Sequence, residues 1–469
     1  MIKIYDRTKI FARTLFIPIE GASPIPTTII WTGLGSNNNW STSSNWNIRA
    51  PQALDVLQFA GTNRTTPFNN LTIDTPFNGI AFNAGAGAFT LSGNRFVLNS
   101  GGIANNSSNI QQINTDLVLG SNAGTINCNT ANIALNGNIS GSGTLTKIGT
   151  SILSLSGNNS YTGNTYISAG NITIGNSNPF GTGDVFFAST AGTFTVDANS
   201  IPSTVVINNR LKFDNNFTLN FNKSVTFNGV VTLASIGTNN ITMRNTGTVV
   251  TFNNTLSGLS TNTLNLFAVN TVGNEVIFNA PVIFDGSTVF QADNGGRGIY
   301  TFNTTGNKVN SLRGSCLFVC GVSNAFSKYR TGIVIGKQTG VQFFGQVNLN
   351  GTDQTFSSLF NITTPFSDCS GCNIFNNTLT TSNLTLTGLN LTYTGSISGN
   401  INLIKLGTAT QILSGSTALG VGPRYTGFTA ISAGTLINYA LSSNPSNKAN
   451  FAQFTNTTLT VDFTTPPIV

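Results

Sequence analysis

The sequence predicts an all-β chain wound into a parallel β-helix, a solenoid closed at its N-terminal end by a cap. Three observations carry this prediction. Helical stripes of period 3.6 are absent, while short runs alternate apolar and polar residues between Gly- and Asn-rich turns. Phe-Asn pairs recur at near-constant spacing in the middle of the chain. The stretch from Ile139 to Ile174 returns in altered form from Ile397.

Composition narrows the class before any element is placed. Of 469 residues only 7% are charged, whereas 39% are hydrophobic, with 34 Phe and 50 Gly. So much apolar and aromatic content excludes a disordered polar tract, and solubility must come from Asn, Ser and Thr. The net charge of +7 is spread thinly, with Lys3, Arg7, Lys9 and Arg13 as its one cluster. No run of Lys or Arg interleaves with aromatics, so no nucleic-acid partner is expected. No eighteen-residue apolar run suggests a spanning helix.

Residues 1–27 read as a leader or a disordered tail. Basic residues precede a short apolar patch, Leu15 to Ile19, but Pro18 and Glu20 spoil it as a signal-peptide core. Residues 28–138 form a Trp-rich cap and the first coils. Trp31, Trp40 and Trp46 are expected to close the open end, where a solenoid would otherwise expose its core and an unpaired edge.

Residues 139–180 are three short strands in sequence: GTLTK from Gly143, ILSLS from Ile152 and NITI from Asn171. GNN, YTG and SAG separate them as turns. Strands this short bury little singly and need stacking. Residues 181–396 supply the period. Phe227, Phe252, Phe278 and Phe302 each precede an Asn, at steps of 25, 26 and 24 residues. Such a period marks a solenoid, with Phe rings stacked inside and Asn laddering beside them. Residues 397–440 hold a degenerate second copy of the repeat, and 441–469 a last coil and tail. The solenoid is expected to run from about Thr28 to Thr460.

The two copies align residue by residue. Lys147 matches Lys405, Gly149 matches Gly407, Leu155 matches Leu413 and Gly157 matches Gly415. Tyr161-Thr162-Gly163 matches Tyr425-Thr426-Gly427, and Ile167-Ser168-Ala169-Gly170 matches Ile431-Ser432-Ala433-Gly434. The second copy departs through the inserted stretch Gly415 to Arg424 and through Ile412-Leu413. This order of elements resembles the autotransporter-associated β-strand repeat, also called the passenger-associated transport repeat. Trp31-Thr32-Gly33, Trp40-Ser41, Asn45-Trp46 and Pro51 are similar to the opening segment of such passengers, and Phe89–Asn94 with Gly101-Gly102-Ile103 to their first coils.

The resemblance implies a right-handed β-helix passenger of a type V secretion system, exported to the bacterial surface. The repeat would assist passage and folding outside the cell. The family pairs its passenger with an outer-membrane barrel. The sequence up to Val469 shows no series of amphipathic ten-residue strands, so that barrel is expected to be encoded elsewhere.

A search for chemistry finds little. There is no His, which removes the usual Ser-His-Asp and Cys-His nucleophile systems. The 14 acidic residues are scattered. A carbohydrate-active β-helix enzyme, the rival reading, would need carboxylates among Asp184, Asp197, Asp214, Glu275 and Asp285 to converge in one groove. Cys316 and Cys320 alternate with Phe318 and read as core thiols. Cys369 and Cys372 flank a turn that could close as a disulfide, and the four together permit a zinc reading. Cys128 stands alone. Asp293-Asn294-Gly295-Gly296 is an ordinary turn, not a calcium repeat. No catalytic, cofactor-binding or metal-binding residue is assigned, and no cofactor.

The function expected from the sequence is therefore a non-enzymatic secreted or surface passenger, serving as stalk or adhesin toward a host-cell surface or extracellular matrix component. A fragment of a larger passenger gene is the third reading.

Overall fold

The computed structural model describes residues 26–461 apart from segments between strands, the longest being 361–371, 414–423 and 439–450. Residues 1–25, Cys316, Cys369, Asp197, Asp285, the 293–296 turn and most of the Gly415–Arg424 insertion lie outside the described residues.

Every pairing between named strands is parallel, and each strand pairs with the equivalent strand one coil away. That is a parallel β-helix. Its first face is a twelve-stranded sheet running from Thr28–Trp31 to Val282–Phe284. Its second face is a fourteen-stranded sheet from Phe68–Asn69 to Leu359–Phe360. The third face begins as four strands, from Thr75–Phe77 to Ile139–Gly141, and resumes as ten from Val205–Ile207. Among the described residues the one helical element is the 3-10 turn Ser43–Asn45.

Alternation within each strand sets the interior. In Leu153–Leu155, Val185–Phe187 and Leu211–Phe213 the outer two residues are buried and the middle one faces out. Stacking coils then align like with like. Phe227, Phe252, Phe278 and Phe302 are in direct register, and their rings stack at 5.0, 5.4 and 5.0 Å. The next residue of each coil points outward as an amide ladder: Asn303 donates to Asn279, Asn279 to Asn253, Asn253 to Asn228 and Asn228 to Asn208, at 2.8–2.9 Å. Both features follow from a coil of about 25 residues, as the Phe-Asn spacing predicts.

The cap covers the first edge of each face by a different device. Residues 45–47 run antiparallel along Thr28–Trp31: Thr32 N–H donates to Asn45 O, Asn47 N–H to Ile30 O, and Ile30 N–H to the Asn47 side chain. Residues 38–40 exchange bonds with Phe68. On the third face Pro76 stands in the first strand and has no N–H to leave unpaired. Trp31, Trp40 and Trp46 lie inside, at most 4% exposed, packed edge-on to one another and onto Phe59. They seal the core, as an end-capping role requires.

Candidate functional site

The repeated stretch is one of the tighter parts of the spiral. Leu145 lies opposite Thr165 and Thr165 opposite Val185, a coil of 20 residues, against 24–26 in the Phe-stacked region. The third face is interrupted here. Between Leu153–Leu155 and Thr165–Ile167 there is no strand, only a turn whose backbone still bonds to its neighbours: Ser160 N–H to Ile139 O, Thr162 N–H to Gly141 O, and Thr182 N–H to Tyr161 O. Tyr161, fully buried, fills the corner that a strand would otherwise line. Its hydroxyl shares a 2.6 Å hydrogen bond with Thr165 Oγ1. Burial pushes its phenol pKa well above the usual range, and the bond to Thr165 partly offsets this.

The opposite corner holds a charge. Lys147 shares its strand face with Leu145 and is fully buried, in register between Ile126 and Ile167. Its ammonium donates to three carbonyls: Ile148 O at 3.0 Å, Gly149 O at 2.6 Å and Ala169 O of the next coil at 2.9 Å. Burial lowers its pKa, while nearby Cys128 works the other way. That thiol is itself pushed up to about 11 by burial. Gly149 makes the turn possible: its φ is +78°, and a Cβ would sit 2.4 Å from Cys128 O.

The second copy repeats the bonds of both corners, although here the Tyr lies in a two-residue strand of the third face, Arg424–Tyr425. Tyr425 and Thr429 share the same 2.6 Å bond, and Thr426 N–H donates to Gly399 O. Lys405, 1% exposed, donates to Leu406 O at 2.7 Å and Gly407 O at 2.8 Å. Gly407 has φ +75°. The buried Lys was missed as a structural element in reading the sequence, although period-two alternation in L-x-K already places it on the Leu face. Among the described inward positions, one turns from apolar to polar. Gln411 stands where the first copy has Leu153, and bonds across to the backbone of Leu359.

The chemically interesting residues stay apart. Asp184 precedes and Asp214 follows strands of the first face, at opposite ends of them, and Glu275 lies on the third face bonded to Thr301. Cys128 and Cys320 are buried free thiols, and Cys372 is buried. Phe318 and Cys320 point inward together, as their alternation predicts. Among the described residues no group of three His, Cys, Asp or Glu could hold a metal ion. Among the described residues no helix is long and apolar enough to cross a membrane.

The sequence model of the passenger-associated-transport-repeat family matches this chain twice, at residues 145–174 and 403–437. Both matches begin on the strand that carries the buried Lys and end in the strand after the closing Ala-Gly turn. No curated protein and no solved structure matches the chain.

Proposed function

We propose that the chain is a non-enzymatic passenger of type V secretion, displayed at or released from the bacterial surface and working as a stalk or adhesin. One observation carries the reading. The passenger-associated repeat occurs twice, and in both copies the same side chains lock two corners within one β-helix. A solenoid suits a stalk because each coil contacts only its neighbours, so length is added without redesigning a core. Its near-uncharged, Asn- and Thr-rich faces support contact with a neutral surface, and its export from the producing cell would depend on an outer-membrane barrel.

The test is protease shaving of intact producing cells. Surface display predicts that this chain is digested while a cytoplasmic marker survives. Protection of the chain in intact cells, with digestion only after lysis, would sink the passenger reading. Incubation of the purified chain with polysaccharides tests the non-enzymatic part: cleaved products would replace the stalk with a carbohydrate-active enzyme.

A further inference from the structure

Four successive coils of the second face leave a shallow groove over the first repeat. Its floor is one column in direct register, Gln112, Ala134, Ser154 and Thr173, beside a second column that includes Asn136 and Ser156. Small residues lower the floor, and Ile110, 51% exposed, stands at one end as an apolar wall. The groove encloses about 250 Å3, on the order of a short sugar segment and just below the usual range of small-ligand pockets.

The polar groups here are uncommitted. The side chains of Gln112, Ser154, Ser156 and Thr173 have no partner within the described chain. Asn136, by contrast, is held in place by donating to Asn114 Oδ1 at 2.8 Å. Four side chains with free donors and acceptors therefore converge on one concavity, and no charged residue lines it.

The second repeat provides an internal control. By the alignment of the copies, Ser154 corresponds to Ile412 and Thr173 to Ile437, both facing outward on equivalent strands. The corner bonds of Lys and Tyr and the turn at Gly recur in both copies, so the fold does not require hydroxyls at these positions. Register alone aligns the outward residues of successive coils; what sets this column apart is the depression over it and the exposed Ile110 at one end.

We propose that this groove binds a neutral carbohydrate, its hydroxyls bonding to Gln112, Ser154, Ser156 and Thr173 and its C–H face lying on Ile110. A charged ligand would find no counter-charge there, and a flat apolar one would leave the hydroxyls unpaired. This names a ligand class for the adhesin reading, but binding is measured on purified protein and is separable from surface display.

The experiment is titration of the full chain with cellobiose, maltotriose and N,N′-diacetylchitobiose, read by calorimetry and by saturation-transfer NMR. At least one is expected to bind with Kd tighter than about 10 mM. Ser154→Ile with Thr173→Ile, which installs the second copy's residues, should weaken it by about tenfold or more with an unchanged circular dichroism spectrum. Gln112→Ala, an exposed and milder change, should weaken it several-fold. No binding by any of the three sugars, equal binding by the variants, or clear preference for an anionic sugar such as oligogalacturonate would each overturn the proposal.

Discussion

Lys147 is the residue whose position most needs a physical reason. An ammonium inside an apolar column is costly unless its donors are used, and here three carbonyls use them. Lys147→Met should leave those carbonyls unpaired and cost about 1–3 kcal/mol in urea denaturation. Lys405→Met should cost less, since Lys405 donates within its own turn, whereas Lys147 also reaches Ala169 on the next coil. Equal losses, or a gain on Lys147→Met, would show that the inter-coil bond contributes nothing. Cys128 sets an alkaline limit. Its unfolded thiol titrates near 9.0 and its folded one near 11. A group with a raised folded pKa contributes its full stability below pH 9.0 and loses it as pH rises through the folded value. The gap corresponds to roughly 2–3 kcal/mol. Tyr161 acts in the same direction above its own ordinary value, whereas Lys147, with its pKa lowered, gains stability over the alkaline range. Stability measured from pH 8 to 11 should therefore fall, and Cys128→Ala should flatten part of that fall. An unchanged slope in the variant would remove Cys128 as the cause.

At the scale of elements, the coil is held by two parallel ladders with different strengths. The Phe stack is buried at 0–2% exposure, so Phe252→Ala opens a cavity between two rings and should cost about 3–5 kcal/mol, with Phe252→Leu costing less. The amide ladder is on the surface. Asn253 donates to Asn228 and accepts from Asn279, so Asn253→Ala breaks two bonds, each worth about 0.5–1.5 kcal/mol at most and less where water replaces them. Thermal melts of the two variants should rank Phe252→Ala well below Asn253→Ala. The reverse order would mean that the ladder, not the core, sets coil stability. The second face shows the same division of labour: inward Leu and Ile hold the coil, leaving outward Ser154 and Thr173 free to differ from Ile412 and Ile437.

For the whole molecule, stability should be local. A solenoid approximates a one-dimensional array in which damage spreads only to neighbouring coils. Trp40 touches Trp46, Phe59, Phe77 and Phe96, which belong to the cap and the coils next to it. Trp40→Ala should therefore raise hydrogen exchange across residues 56–98 while leaving the strands at 225–227 and 249–252 protected. Exchange rising evenly along the chain would mean a single cooperative unit instead. The cap also decides what the end can do: with two of its described edges paired and Pro76 on the third, it is a poor template for adding another chain.

The sequence by itself determined the strand alternation, the 25-residue coil, the Phe stack with its Asn ladder, the Trp cap and the two repeats, because each rests on periodicity that stacking preserves. Phe227 and Phe252 are neighbours in space for the same reason that they are regular in sequence. Tertiary structure alone decided the rest. That Tyr161 stands in place of a strand at the third corner of the repeat could not be read from the sequence, because the third face carries strands in coils before and after it. The partners of Lys147 depend on where Ala169 arrives one coil later. The groove depends on four outward side chains, widely separated along the chain, lining up on one face. Periodicity fixes which residues share a face, but the depth of that face comes from the packing of successive coils.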